Sequence, residues 1–144
     1  VVDSSAIPTG EIASVEGTPM DFRTEKQIGQ DIRADFEQLH FTGGYDHNYV
    51  LGRPGEKKIM ANAYCRESGI ALEAATDCCG VQFYAGNFIG EQTGKGGASY
   101  HDRSAFCLES QFYPNAVNEP DFPSPVVKAG HTYHTETSYR FYLR

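Results

Sequence analysis

Hydrophobic and polar positions alternate with a period of two in several parts of the chain, which is typical of β-strands. Residues 133–143 show the clearest alternation and predict a strand. One side of that strand is expected to face the core, namely Tyr133, Thr135, Thr137, Tyr139, Phe141 and Leu143. A second alternation begins with Ile70, Leu72 and Ala74. Residues 57–64 precede it across a turn at 66–69, so the two segments predict an antiparallel hairpin.

The remaining pattern is also that of a β protein, with one exception. Short runs of β-branched and aromatic residues are separated by Gly, Pro, Asn and Asp, which predicts an all-β, antiparallel β-sandwich. No repeat or linker is evident, so residues 1–144 are treated as one unit. The exception is a spacing of four, four and three over Ile28, Ile32, Phe36 and Leu39. It predicts an amphipathic helix over 25–39, although Gly29 leaves an irregular loop with one helical turn as the alternative.

Composition narrows the class of partner. A chain of 144 residues is long enough for one domain with its own core. The net charge of −7 and the absence of a basic patch argue against nucleic acid or an anionic membrane as partner, and are compatible with a neutral small molecule. No apolar run reaches the length of a membrane span, and no signal peptide is evident. Four cysteines at this length favour reduced thiols in a cytoplasmic protein over a disulfide scaffold.

One acid stands out among apolar neighbours. Glu109 follows Phe106 and Leu108 in a strand-like run, and a Pro-rich loop comes after it. Burial raises the pKa of a carboxyl group unless hydrogen bonds or cations compensate. Glu109 is therefore either a structural acid with satisfied hydrogen bonds or a proton-transfer group. A metal site is not expected, because the cysteine spacings do not fit zinc, and His131 and His134 lack acidic or thiol partners.

Four segments resemble the aldose 1-epimerase (galactose mutarotase) family, and they occur in the family's order. They are IPTGEI with VEGTPMDFR (7–23), GYDHNYVL (44–51), GVQFYAGNFIG (80–90) and GKGGASYHDRSAFCLESQ running into NEPDFPS (94–124). The resemblance implies the C-terminal part of the family's large two-sheet sandwich. It also implies a reaction that interconverts the α and β anomers of aldoses such as galactose and glucose, without a cofactor.

The resemblance assigns roles to three residues. Glu109 takes the position of the general base, and partial burial behind Phe106 and Leu108 is expected to bring its pKa toward the operating pH. Asp46 and Gln82 take the positions of residues that hydrogen-bond the sugar. Without the resemblance, an Asx-type turn explains Asp46, and an ordinary exposed strand glutamine explains Gln82.

The family's acid, a histidine from the N-terminal half, has no counterpart here. His47 follows Asp46 and is expected to point to the opposite face of the strand. His40, His101, His131 and His134 match no family role. Without that acid, the chain alone is expected to be inactive or very poor. It also opens at Val1 without Met, which predicts that it is the C-terminal piece of a longer protein. Its uncovered strand edges are expected to associate with an N-terminal half-chain or with each other.

Other functions remain open on the sequence alone. A non-catalytic sugar-binding module needs only Asp46, Gln82 and aromatic residues. A phosphosugar epimerase needs a basic cluster, which Lys95 and Arg103 do not make by themselves. A glycoside hydrolase needs two carboxylates at a fixed separation.

Overall fold

The computed structural model describes residues 1–144 and consists mainly of short strands with little helix. The elements in chain order are α1 (Glu37–Thr42), β1 (Asp46–Val50), β2 (Lys58–Tyr64), β3 (Ile70–Thr76), β4 (Gly80–Tyr84), β5 (Gln92–Thr93), a 3-10 helix (Lys95–Gly97), β6 (Ser99–Tyr100), β7 (Cys107–Gln111) and β8 (Thr137–Leu143). The strands form sheets in the orders β1-β4-β7, β2-β3-β8 and β5-β6. The all-β prediction is confirmed. Neither helix has the length and apolar character needed to cross a membrane.

The predicted hairpin is present as β2 and β3, which pair antiparallel with Tyr64 opposite Ala71. Its turn is closed by two backbone hydrogen bonds, from Cys65 N to Ile70 O at 2.9 Å and from Gly69 N to Cys65 O at 2.9 Å. Gly69 has a φ of 70°, a left-handed conformation that favours glycine. The turn therefore forms where the sequence placed it.

The predicted C-terminal strand is also present, but the expectation that one of its sides faces the core is wrong. β8 pairs antiparallel with β3, with Phe141 opposite Leu72 and Leu143 opposite Ile70. Tyr139, Phe141 and Leu143 are 48%, 68% and 81% exposed. Alternation indicates which side chains share a face, whereas burial depends on whether another layer covers that face. Most of the surface of Phe141 and Leu143 is uncovered in this chain, and Tyr139 is half-exposed although its hydroxyl reaches Leu108 O.

The predicted helix over 25–39 is wrong for most of its length, and the alternative of a loop with one helical turn describes the segment. Residues 25–36 form turns and bends, and α1 begins at Glu37 because Phe36 is extended, with φ −140° and ψ 124°. Ile32 and Leu39 are nevertheless buried, at 6% and 3% exposure. The apolar spacing identified buried positions and not a continuous helix.

The chain divides into two compact units, one of residues 1–47 and 82–107 and the other of residues 48–81 and 108–144. In the first unit, Tyr45 packs edge-on against Phe22 and stacks on Phe83, with ring centroids 5.0 and 5.5 Å away. In the second unit, the buried cluster contains Cys79, Tyr113, Ala116 and Phe122. Each unit thus has aromatic packing of its own. None of the four cysteines forms a disulfide.

Candidate functional site

Asp46 is carried by a turn that ends on a fully buried residue. α1 stops at Gly43, whose φ of 65° and ψ of 19° form a left-handed cap. Gly44 follows, and then comes Tyr45, which is 0% exposed and donates its hydroxyl to Pro19 O at 3.0 Å. Because Tyr45 is fixed by packing and by a hydrogen bond, the backbone that enters β1 at Asp46 is fixed as well.

Asp46 and Gln82 lie side by side in the first unit. Gln82, on β4, donates from Nε2 to Asp46 Oδ1 at 2.7 Å. Both residues are half-buried, and Gln82 Oε1 is buried without a hydrogen-bond partner. The pair therefore offers acceptor oxygens on both side chains, which suits a ligand that brings several hydroxyl donors. The Asx-turn alternative does not describe this Asp46 contact, because the carboxylate bonds a residue of another strand.

His47 faces away from Asp46, as the strand alternation predicts. Its side chain is 7% exposed, and its Nδ1 accepts the Asp46 backbone N–H at 3.2 Å. Burial lowers the pKa of His47 to about 4. The imidazole is therefore neutral at physiological pH and belongs to the core of the first unit.

Glu109 lies on β7, in the second unit, and is exposed. The expectation of partial burial behind Phe106 and Leu108 is wrong for this chain. Phe106 is itself 36% exposed, and Leu108 is half-buried. Strand alternation places Glu109 on the face opposite Ser110, so its carboxylate is directed away from the neighbours that hold β7 in place.

Those neighbours lie on β8 and β3. Tyr139 donates its hydroxyl to Leu108 O at 2.8 Å. The Ser110 and Thr137 hydroxyls are 2.6 Å apart, and Thr137 is in turn 3.0 Å from the Thr76 hydroxyl. These contacts flank Glu109 on both sides and fix the backbone from which its side chain projects.

The other histidines show no shared site. His40 Nε2 is 3.4 Å from Asp35, and His101 Nδ1 is 3.9 Å from Glu91, both as exposed pairs. His131 and His134 are exposed in the segment before β8. No group of three or more His, Cys, Asp or Glu side chains is arranged to hold a metal ion.

Sequence reasoning missed two residues that hold the turn before Asp46. Asn87 is 5% exposed and donates from Nδ2 to Thr42 O at 3.2 Å and to Tyr45 O at 3.1 Å. Arg103 donates from Nη2 to Gly43 O at 2.8 Å. The sequence signal that points to them is the Gly43–Gly44 pair, because a turn made of two glycines is flexible and needs partners elsewhere in the chain to fix it.

Comparison with known proteins identifies the family. The family model described as aldose 1-epimerase matches residues 1–140. Galactose mutarotase from Bos taurus is 44% identical over 141 residues, which are 97% of this chain and 40% of the bovine protein. Aldose 1-epimerase from Escherichia coli (strain K12) is 36% identical over 143 residues, 97% of this chain and 41% of that protein.

A solved structure agrees with these relatives. An aldose epimerase homologue from C. elegans superposes with a TM-score of 0.77 at 29% identity, over 99% of this chain and 42% of that chain. The chain thus spans about two-fifths of the length of the relatives that it matches. The match covers nearly the whole chain and includes the segments that carry Asp46, Gln82 and Glu109. The chain belongs to the aldose 1-epimerase family.

Proposed function

We propose that this chain supplies the general base and part of the sugar-binding surface of an aldose 1-epimerase. The substrate is an aldohexose such as galactose or glucose, and the reaction exchanges its α and β anomers. The observation that carries the proposal is the Asp46–Gln82 pair, at 2.7 Å, in a family member whose Glu109 is exposed on a well-anchored strand.

Glu109 acts on the anomeric hydroxyl in this scheme. Its carboxylate removes the O1 proton while an acid protonates the ring oxygen, and the C1–O5 bond breaks to give the open aldehyde. Rotation about C1–C2 presents the other face of the aldehyde, and the ring closes with both proton transfers reversed. Proton transfers and a bond rotation are sufficient, so no cofactor enters the scheme.

Asp46 and Gln82 orient the sugar. The second oxygen of the Asp46 carboxylate is able to accept from a sugar hydroxyl while the first holds Gln82. Gln82 Oε1, which has no partner within the chain, accepts from another hydroxyl. The hydrogen bond to Asp46 fixes the rotation of the Gln82 amide, so the direction of its buried oxygen is set before the sugar arrives, which reduces the ordering cost of binding.

The acid is proposed to be a histidine outside this chain, because none of the five histidines here matches the family's acid. The apolar face formed by Leu72, Tyr139, Phe141 and Leu143 supports docking of a further layer that carries it. A self-associated dimer is the alternative occupant of the same face. Analytical ultracentrifugation of the chain, alone and mixed with the unmatched three-fifths of bovine galactose mutarotase, distinguishes the two. Mixed complexes support the first, and homodimers that resist mixing support the second.

A cytoplasmic location is part of the proposal. Cys65 is exposed and forms no disulfide, and thiols of this kind are usual in a reducing compartment. Fractionation of the source cells with an antibody to the chain tests the location.

The activity is tested in a completed domain, which we define as bovine galactose mutarotase with its matching segment replaced by this chain. Freshly dissolved α-galactose is followed by polarimetry. The completed domain is expected to accelerate mutarotation, and the 144-residue chain alone is not. Glu56→Gln, which alters an exposed acid before β2, is the matched control and is expected to retain activity. A folded completed domain that gives no acceleration contradicts the proposal.

A non-catalytic sugar-binding role is the second candidate, favoured by the unpartnered Gln82 Oε1 within a chain that lacks the acid. Calorimetric titration of the isolated chain with galactose tests it. Saturable binding, together with a completed domain that binds galactose without accelerating mutarotation, supports this role over catalysis.

A further inference from the structure

The four-residue turn Thr42-Gly43-Gly44-Tyr45 has all four of its carbonyl groups hydrogen-bonded by side chains of the first unit. Asn87 donates to Thr42 O and Tyr45 O, Arg103 donates to Gly43 O, and the Thr42 hydroxyl donates to Gly44 O. Ala85 N also donates to Tyr45 O, at 2.9 Å. Thr42, Gly44 and Tyr45 are buried, so their carbonyl groups cannot be left to water and need partners within the chain. This turn is held by specific partners.

The two glycines explain why the partners are needed. Gly43 and Gly44 have φ values of 65° and 138°, and glycine is the residue that loses most conformational freedom on folding. A Cβ atom at Gly44 would lie 2.4 Å from Asn87 Oδ1 and 3.1 Å from Ile32 Cγ1. The turn must therefore be glycine for the Asn87 carboxamide to approach, and the carboxamide must be present to restrict the glycines.

The orientation of the Asn87 side chain follows from its partners. Two carbonyl oxygens face it, so the NH₂ group and not the oxygen must occupy that side. An aspartate would place an acceptor against two acceptors at nearly the same volume. The Arg103 backbone N–H is bonded to Gly86 O at 2.8 Å, so the arginine and Asn87 are attached to the same loop, residues 85–88.

We propose that Asn87 and Arg103 are positioning residues that set the direction in which Asp46 leaves the turn, and thereby the hydroxyls that the Asp46–Gln82 pair accepts. Neither side chain has to touch the sugar. Asp46 follows Tyr45 directly, so a rotation of the turn moves the carboxylate relative to Gln82. This inference rests on the proposed sugar contact of Asp46 and extends it to residues with no assigned role.

The test uses a spectroscopic signature that does not require activity. In the ¹⁵N-labelled 144-residue chain, the side-chain amide of Gln82 reports its bond to Asp46, and Gln82→Ala assigns the resonance. Asn87→Asp and Arg103→Gln are each expected to shift this resonance toward the free-amide position. Asn118→Asp removes a side-chain amide donor as Asn87→Asp does, but its acceptor is Asn115 Oδ1, at 2.7 Å in the exposed loop after β7. This control is expected to leave the Gln82 resonance unchanged.

Kinetics of the completed domain give the second readout. A misplaced Asp46 weakens a hydrogen bond of a charged group to the sugar, so KM for galactose is expected to rise about tenfold while kcat changes less. If Asn87→Asp does not fold, Arg103→Gln decides, because the exposed guanidinium can be removed without opening a core. An unshifted Gln82 resonance and an unchanged KM in a folded variant overturn the proposal that Asn87 and Arg103 position Asp46. If the completed domain is inactive, the Gln82 resonance still shows whether Asn87 and Arg103 position Asp46.

Discussion

The Gln82 side-chain amide donates to the Asp46 carboxylate across 36 positions of sequence, at 2.7 Å. This contact joins two residues that the family resemblance implicated separately. It also distinguishes the two side chains, because Asp46 accepts from Gln82, whereas the Gln82 oxygen is buried without a partner. The pair is therefore best probed by replacing the Gln82 amide, which donates, with a carboxylate, which accepts.

Gln82→Glu is expected to place two carboxylates within hydrogen-bonding distance, where they share one proton and repel when both are ionised. Galactose affinity of the completed domain is expected to fall at least tenfold at pH 7 and to recover in part near pH 5. Competition binding over that pH range measures the effect. Gln27→Glu, in an exposed turn of the same unit, is the control. Equal affinities for the two variants at pH 7 would show that the pair does not contact the sugar.

Buried His47 predicts a loss of stability in mild acid. Its pKa is about 4 in the folded chain and about 6.5 when unfolded, so between these values the unfolded state binds a proton that the folded state does not. Stability contributed by the neutral imidazole is present above pH 6.5 and is lost as the pH falls toward 4. The free energy of unfolding is expected to drop by about 2 kcal/mol from this group between pH 7 and pH 5.

Urea unfolding at both pH values measures this loss, and His47→Gln isolates it. Glutamine is able to keep the acceptor for the Asp46 N–H but does not titrate in this range. The pH-dependent part of the loss is expected to disappear in that variant. An identical pH dependence in both proteins would mean that His47 is not buried in its neutral form.

The cysteines are predicted to differ in reactivity. Hydrogen bonds from the Ser68 side chain and backbone lower the pKa of exposed Cys65, whereas burial raises the pKa of Cys79. Cys65 should therefore react faster than Cys78 or Cys79 with a thiol reagent at pH 7, followed by mass spectrometry. Ser68→Ala should slow its reaction. If Cys78 or Cys79 reacts before Cys65, the region around Cys79 is accessible to solvent and the predicted order of reactivity is wrong.

The exposed face of β8 predicts that one substitution destabilises the completed domain much more than the isolated chain. Phe141→Ser removes a side chain that is 68% exposed, so the unfolding free energy of the isolated chain should change by less than about 0.5 kcal/mol. If another layer covers this face in the completed domain, the same substitution should cost about 3 kcal/mol there, as for a buried aromatic residue. Equal small effects in both proteins would contradict the proposed docking face.

The sequence predicted the local structure of this chain better than it predicted which residues are covered. The β2–β3 hairpin follows from local rules, namely alternation and a left-handed Gly69. Residues 25–36 obey the spacing of a helix, yet they bury Ile32 through turns, because spacing records burial more directly than backbone conformation. The exposure of Phe141 and of Glu109 was beyond local rules, since it depends on which layers cover β8 and β7.

The candidate site also has features that the sequence predicted and features that only the tertiary structure shows. Asp46, Gln82 and Glu109 were found through motif resemblance, but the hydrogen bond between Asp46 and Gln82 joins β1 to β4, which only the tertiary structure reveals. Asn87 and Arg103 lie inside the resembling segments and were passed over because their partners are backbone carbonyls of a distant turn. A side chain that donates to a backbone carbonyl places no requirement on the type of its partner residue, so no sequence pattern indicates the contact.

The central claim is that Glu109 is the base, and it is tested most directly by measuring anomer exchange and binding together. Exchange between α- and β-galactose at equilibrium is followed by NMR in the completed domain, and the galactose Kd is measured on the same samples. Glu109→Gln is expected to slow exchange by a factor of about 10² to 10⁴, with Kd changed less than about threefold, since a base acts in the transition state. Unchanged exchange, or a loss that saturating galactose fully restores, would contradict the assignment of Glu109 as the base.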